Sequence, residues 1–134
     1  MKWLIAVDGS AASLEAVRHV IMLKLAGLHT EAVLVNVQPP ANLYEVVTAH
    51  DPDVLREVRG AAGADLVAPA EALLAGAGIG YEVEVAGGEP APLIVELAEN
   101  YGCHGIVLGR GEVAEAVAAI AAVPVTTVVA AEDQ

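Results

Sequence analysis

The stretch HGIVLGRGEVAEAVAAIAAVPVTTVV, residues 104–129, decides the fold because it reads as one complete unit of a parallel sheet. Two apolar runs rich in Val and Ile, residues 106–108 and 125–129, predict buried strands. The alanine-rich segment between them, about residues 112–122, predicts a short helix. Between the first strand and this helix lies the turn Gly109-Arg110-Gly111. Glycine turns at helix N-termini often hold a phosphate, so this turn is the first candidate ligand site.

Three more apolar runs precede this stretch, and each is bounded by Gly, Pro, Asp or Asn. They are residues 3–7, 32–37 and 81–85, and we expect each to form a strand. The run at 81–85 alternates apolar Tyr81, Val83 and Val85 with acidic Glu82 and Glu84. This alternation predicts a half-exposed strand at an edge of the sheet.

Helical patterns separate the predicted strands. Ser10 is a typical N-cap for a helix that runs to about residue 26 and is closed by Gly27. The second helix should begin at Asp51-Pro52-Asp53 and kink at Pro69, and the third should begin at Glu89-Pro90. The stripes expected to face the core are Leu14, Val17, Ile21 and Leu25 in the first helix, Leu55, Val58, Leu66 and Leu73 in the second, Leu93, Ile94, Leu97 and Tyr101 in the third, and Val113, Val117 and Ile120 in the fourth.

The strict alternation of strand and helix indicates an α/β fold in a single domain, residues 1–134, with helices on both faces of a parallel sheet. Crossovers between parallel strands are right-handed. Ligands of such sheets therefore bind at the carboxyl ends of the strands, where the strand order reverses.

Charge and composition exclude several classes of partner. The chain has 134 residues and a formal net charge of −12, so we expect it to bind neither nucleic acid nor an anionic membrane. Its one cysteine excludes an intramolecular disulfide and fits a reducing compartment. The opening MKWLIAVDGS is too short for a signal peptide, and the longest uncharged run, residues 116–131, is too short to span a membrane. We therefore expect a soluble cytoplasmic protein.

Three segments, in this order, resemble the universal stress protein family (universal stress protein A-like). The opening WLIAVDGSAASLEAVRHV, residues 3–20, is similar to the family's first strand, Asp-Gly-Ser turn and first helix. The segment GGEPAPLIVELAENYGCHGIVLGRG, residues 87–111, looks like its Gly-x-Pro helix entry, next strand and glycine turn. The end, VPVTTVV, residues 123–129, looks like its closing strand. The resemblance covers nearly the whole chain.

The resemblance implies a Rossmann-like, adenine nucleotide alpha hydrolase-like fold whose parallel strands lie in the order 3-2-1-4-5. The order then reverses between the first and fourth strands, where Asp8-Gly9-Ser10 would meet the glycine turn. By the same resemblance, Asp8 would contact the adenine and ribose end of a nucleotide, and the backbone of Val37 would line the base. The candidate binding residues are Asp8, Gly9, Ser10, Val37, Gly109, Arg110 and Gly111.

The glycine turn departs from the ATP-binding branch of the family, which carries Gly-x-x-Gly, nine residues, and then Gly-Ser or Gly-Thr. Gly109 and Gly111 are one residue closer together, and no Gly-Ser or Gly-Thr occurs among the twelve residues between Gly111 and Pro124. Glu112 and Glu115 instead occupy the first turn of the next helix, where each would oppose a phosphate about 5 Å away by roughly 3 kcal/mol per pair of charges. We predict a degenerate site with no cofactor and no tight ATP binding. The alternative is ATP or AMP binding with slow ATP hydrolysis.

Other reactive residue types have plain structural explanations. Cys103 and His104 point to opposite faces of an extended chain and make a poor metal pair. Ser10 lacks a nucleophile elbow and a base, and Asp51-Pro52-Asp53 fits an ordinary helix start. No acid–base pair is visible. We therefore expect a protein without catalytic activity rather than an enzyme on a related fold, such as a ligase or an electron-transfer flavoprotein.

The last predicted strand carries no charge on either face, with Val123, Val125, Thr127 and Val129 on one and Pro124, Thr126, Val128 and Ala130 on the other. An edge of this kind is a template for pairing with another strand. The family resemblance implies that the same strand of a second subunit covers it. We predict a homodimer through the segment from Val123 to Ala130, acting as a non-catalytic binding module in stress response or regulation.

Overall fold

The computed structural model describes residues 1–39 and 52–130, in which strands and helices alternate. The elements are, in chain order, β1 (Lys2–Ala6), α1 (Ala11–Leu25), β2 (Glu31–Gln38), α2 (Pro52–Gly76), β3 (Gly80–Gly87), α3 (Pro90–Asn100), β4 (Gly105–Gly109), α4 (Glu112–Ile120) and β5 (Val125–Val128). Every strand predicted from the sequence is confirmed, with ends that differ by at most two residues.

One parallel sheet holds the strands in the order β3-β2-β1-β4-β5. In its centre, β1 pairs with β2 on one side, where Lys2 lies opposite Glu31, and with β4 on the other, where Trp3 lies opposite Gly105. β3 and β5 form the two edges. The α/β class and the predicted strand order are confirmed, and the order reverses between β1 and β4.

Helices cover both faces of the sheet and create two apolar cores. On one face α3 and α4 pack over residues such as Leu4 and Ile106, and on the other α1 and α2 pack over residues such as Ile5 and Val107. Successive residues of a strand point to opposite faces, so the adjacent Leu4 and Ile5 are both fully buried. This double cover explains why the central strands are apolar throughout.

The ends of α1 follow the local signals in the sequence. Ser10 is the N-cap, and its Oγ accepts a hydrogen bond of 3.2 Å from the backbone N–H of Ser13. At the other end, Gly27 has a φ of 106°, in the left-handed region that favours glycine, and the chain leaves the helix there.

The second helix begins at Pro52 and continues through Pro69 to Gly76. The predicted N-cap, Asp51, and the side chain of Leu55 lie outside the described residues. α3 begins at Pro90, as predicted, and α4 ends two residues before its predicted end. Within the ranges that the structure describes, no helix is both long enough and apolar enough to cross a bilayer.

The buried faces of α1, α2 and α4 differ from the predicted stripes. Leu25 of α1 is 82% exposed and Val58 of α2 is 60% exposed, and Leu66, Val113 and Ile120 are exposed as well. Val17 and Val117 are buried as predicted, and Leu14, Ile21 and Leu73 pack against the core. The other buried positions, most of them held by small residues, are Ser13, Ala16 and Val20 in α1, Gly63, Val67, Ala70 and Leu74 in α2, and Ala114 in α4. In α3 the prediction is confirmed, because Ile94 and Leu97 are buried and Leu93 and Tyr101 pack against them.

Close approach of helix to sheet explains this difference. A Cβ placed on Gly63 of α2 would lie 2.5 Å from Cγ1 of Val85 and 2.8 Å from Oδ1 of Asn36, so the helix backbone itself touches β2 and β3. Small residues permit this contact, and the larger aliphatic residues of the same helix then lie at its flanks.

Candidate functional site

A cavity of about 450 Å³ opens at the carboxyl ends of β1, β2 and β4, where the strand order reverses. We call it the crevice. Two turns border it: the Asp8 turn, residues 8–10, and the Arg110 turn, residues 109–111. Of the predicted site residues, five line the crevice, namely Asp8, Ser10, Val37, Gly109 and Arg110. Gly9 and Gly111 belong to the same two turns but are not among the lining residues.

The Asp8 turn is held by short-range hydrogen bonds. The backbone N–H of Ser10 donates to Oδ1 of Asp8 at 2.9 Å, and the hydroxyl of Ser13 donates to the carbonyl of Ser10 at 2.8 Å. Gly9 has a φ of 86°, and a Cβ placed there would lie 2.5 Å from Cδ2 of Leu66. The backbone conformation therefore requires glycine at this position, and a larger residue would also have to displace the side chain of Leu66.

The carboxylate of Asp8 is exposed and faces the crevice. Partial burial alone would raise its pKa, but hydrogen bonds from Ser10 and Ser13 stabilise the ionised form and lower the pKa below its ordinary value of 3.8. At neutral pH the crevice therefore contains a fixed negative charge that can accept hydrogen bonds.

The Arg110 turn lies against the first turn of α1. A Cβ on Gly109 would lie 2.7 Å from Cβ of Ala12, so glycine is required where β4 passes the start of α1. The backbone N–H of Arg110 donates to the carbonyl of Val128 at 2.7 Å, which fixes the turn to β5. The side chain of Arg110 is exposed and lines the crevice.

Acidic side chains follow the Arg110 turn directly. Glu112 and Glu115 are in the first turn of α4 and are both exposed. Their negative charges stabilise the positive end of the helix dipole, and a bound phosphate would have the same role at a helix N-terminus. Within the described part of the chain, no ion pair joins Arg110 to Asp8, although both line the crevice.

Two polar residues of β2 that the sequence analysis did not single out also line the crevice. Asn36 is buried, and its Nδ2 donates to the carbonyl of Val7 at 2.8 Å. Its Oδ1 accepts a hydrogen bond of 2.6 Å from Nε2 of Gln38. A signal was present, because Asn36 is the one polar residue in the apolar run 32–37. An amide at the end of a buried strand indicates a position where the chain approaches a polar site.

The rest of the crevice wall is apolar and comes from four different elements. Leu66 of α2, Ile94 of α3, Leu108 of β4 and Val113 of α4 all contribute to it. Leu66 and Val113 were predicted to be core residues of their helices, and their exposure follows from their position beside the crevice. No local pattern in the sequence distinguishes a residue that lines a cavity from one that packs in the core.

The remaining candidates lie away from the crevice. Cys103 is buried just before β4, and burial raises the pKa of its thiol. His104 is exposed, and its Nδ1 accepts a hydrogen bond of 3.1 Å from the backbone N–H of Lys2, at the amino ends of the strands. Among residues 1–39 and 52–130, no group of three His, Cys, Asp or Glu side chains is placed to hold a metal ion.

A sequence profile described as the universal stress protein family matches residues 1–129 of the chain. No curated protein matches the chain.

Solved structures share the fold. A protein of the universal stress protein family from Burkholderia pseudomallei is 23% identical, with a TM-score of 0.78 and coverage of 95% of this chain and 94% of that chain. A universal stress protein family protein from Arabidopsis thaliana with AMP bound is 19% identical, with a TM-score of 0.76 and coverage of 99% and 94%. The universal stress protein from Archaeoglobus fulgidus in complex with dAMP is 21% identical, with a TM-score of 0.69 and coverage of 96% and 97%.

Proposed function

Because this chain belongs to the universal stress protein family, we propose that it is a cytoplasmic, non-catalytic binding module of stress response or regulation that does not bind ATP tightly. Its ligand would bind in the crevice, between the Asp8 and Arg110 turns. The residues we assign to binding are Asp8, Gly9, Ser10, Val37, Gly109, Arg110 and Gly111.

The pair of glutamates at the start of α4 is the observation that supports this proposal most strongly. Glu112 and Glu115 follow the turn on which a phosphate chain would rest, and Arg110 is the one cation lining the described crevice. A triphosphate carries several negative charges, whereas a single guanidinium offsets about one of them. The protein as a whole has a net charge of −12, which also opposes a polyanionic ligand.

Nucleotide binding with slow ATP hydrolysis is the second candidate function. It is favoured by the solved relatives that contain AMP and dAMP and by the position of the crevice beside Asp8 and Val37. The sequence identity to those relatives is low enough that the similarity shows a shared fold and not a shared ligand, so the ligand of this chain has to be measured.

Release of bound nucleotide separates the two candidates. Protein purified without added nucleotide is denatured, and the supernatant is analysed for adenine nucleotides by ion-exchange chromatography. We expect less than about one tenth of an equivalent of adenine nucleotide per chain, because a weakly bound nucleotide is lost during purification. Adenine nucleotide in stoichiometric amount would favour the second candidate.

We also propose that the chain forms a homodimer through the segment from Val123 to Ala130. In the isolated subunit β5 is an edge strand that pairs only with β4 within the described sheet. The N–H groups of Ile106 and Arg110 bond to the carbonyls of Pro124 and Val128. The backbone polar groups of the intervening odd-numbered residues therefore point to the free side, where a second strand can pair with them.

A further inference from the structure

We propose that the ligand of the crevice is a small organic amine with an apolar body, whose ammonium group binds the carboxylate of Asp8. This inference rests on the proposed function, since it takes the crevice as the binding site and names the chemical class of its ligand. The geometry that supports it is a cavity with an exposed carboxylate at a fixed position and walls made mostly of aliphatic side chains.

The acceptor is positioned before any ligand binds. The backbone N–H of Ser10 donates to Oδ1 of Asp8, which fixes the side chain at the end of β1. The carboxylate remains exposed toward the cavity, so it can accept further hydrogen bonds. A charged acceptor of this kind forms stronger hydrogen bonds with an ammonium donor than with a neutral one.

The apolar walls define the body of the ligand. Leu66, Ile94, Leu108 and Val113 line the crevice from separate elements. The volume of about 450 Å³ is in the range of sites for small organic molecules. The amide of Asn36 is already engaged, because it donates to Val7 and accepts from Gln38.

The charges around the crevice favour a cation over an anion. Glu89 adjoins the lining residue Pro90, and Glu112 and Glu115 follow the Arg110 turn, so carboxylates flank the crevice on the described residues of α3 and α4. Two cations oppose these carboxylates: Arg110, which lines the crevice, and Arg59, which donates to the carbonyl of Pro39 on the crevice wall. They offset part of the negative potential that Asp8 and the flanking glutamates create.

A matched series of probes tests the class of ligand directly. The probes are 2-phenylethylamine, 2-phenylethanol and phenylacetate, which share a phenyl body and differ in charge. Each is titrated into the ¹⁵N-labelled full chain, and backbone and side-chain amide shifts report both affinity and location. We expect the amine to bind at least about tenfold more tightly than the carboxylate, with the alcohol between them. The shifts should concentrate at Gly9, Asn36 and Gly109.

Two variants separate the local charge from the net charge. Asp8→Asn keeps the size and one acceptor oxygen, and it should remove most of the preference for the amine while leaving the alcohol's affinity within about twofold. Glu31→Gln removes the same charge at the exposed amino end of β2, opposite the crevice, and should leave the preference unchanged.

The outcomes distinguish this inference from the proposed function. Tighter binding of phenylacetate, binding of none of the probes, or an amine preference that survives Asp8→Asn would each overturn the inference. Mg²⁺–ATP is titrated in parallel, and micromolar ATP binding would overturn the proposed function whatever the probes do. Absence of ATP binding together with a preference for the anion would reject the inference alone.

Discussion

Asp8 holds its turn through hydrogen bonds and lines the crevice, where we propose that it binds the ligand. Hydrogen bonds from the Asp8 turn lower its pKa, so ionised Asp8 contributes stability above its ordinary pKa of 3.8. This contribution is lost as the pH falls through the lowered pKa of the folded state. We therefore expect Asp8→Asn to be less stable than the parent at pH 6, and the difference to shrink below about pH 3.8.

The measurement is the free energy of unfolding in urea at several pH values. Asp65→Asn removes the same charge from an exposed position of α2 and controls for the general effect of net charge. A difference between parent and Asp8→Asn that stays constant from pH 6 to below pH 3.8 would contradict the assigned hydrogen bonds.

At the residue scale, the sequence predicts positions that a backbone turn requires and misses those that tertiary packing brings in. Asp8 and Ser10 follow a strand and precede a helix, so their place at the crevice was predictable. Leu66 and Ile94 reach the same cavity from helices distant in sequence. Their presence at the crevice depends on how α2 and α3 pack across the sheet, and the hydrophobic periodicity of the sequence does not predict that packing.

The packing of α2 on the sheet gives a prediction with an internal control. Gly63→Ala should lower the free energy of unfolding by about 1–2 kcal/mol. The added methyl group would overlap Val85 and Asn36, and the cost of this overlap exceeds the gain from the higher helix propensity of alanine. Gly60→Ala lies one turn earlier, where a Cβ meets nothing within 4 Å. It should raise the free energy of unfolding by up to about 1 kcal/mol.

Urea unfolding of the two variants measures both effects. If Gly63→Ala is as stable as Gly60→Ala, the result would contradict the close packing of α2 against β3 at Gly63.

At the element scale, the existence and type of every described helix and strand were predictable, whereas the buried faces of α1, α2 and α4 were predictable only in part. Strands alternate with a period of two, so both faces of β1 follow from its apolar residues. In α1, the spacing of the large aliphatic residues predicted Leu25 in the core, whereas Leu25 is exposed and Ala16 and Val20 are buried. Where helices pack closely through Ala and Gly, the largest residues do not identify the buried face.

The oligomeric state is a property of the whole molecule, and β5 makes it testable. Sedimentation velocity at tens of micromolar should give a dimer for the parent chain. Thr127→Pro should give a monomer that remains folded, because the N–H of Thr127 points to the free edge and proline removes it without breaking a bond to β4.

A surface variant elsewhere provides the control for the dimer. Leu25→Lys changes the most exposed large apolar residue of α1 and should leave the dimer intact. A monomeric parent chain, or a dimer lost in Leu25→Lys and kept in Thr127→Pro, would contradict pairing through β5.

For the molecule as a whole, alternation of elements predicted the α/β class, and the family resemblance supplied the strand order. Periodicity alone leaves that order open, since any right-handed arrangement of the same elements satisfies it. Once β1 and β4 are neighbours, the meeting of the Asp8 and Arg110 turns follows from the direction of the strands. The chemical nature of the crevice follows only when the side chains of all its walls are placed.

Calorimetric titration of the chain with Mg²⁺–ATP tests the central claim most directly. We expect a dissociation constant of about 1 mM or weaker. The double variant Glu112→Gln/Glu115→Gln should bind ATP more tightly, because it removes the opposing charges at the start of α4. Glu96→Gln/Glu99→Gln, which removes two exposed charges from the later part of α3, should not. Micromolar binding of one ATP per parent chain would contradict the account.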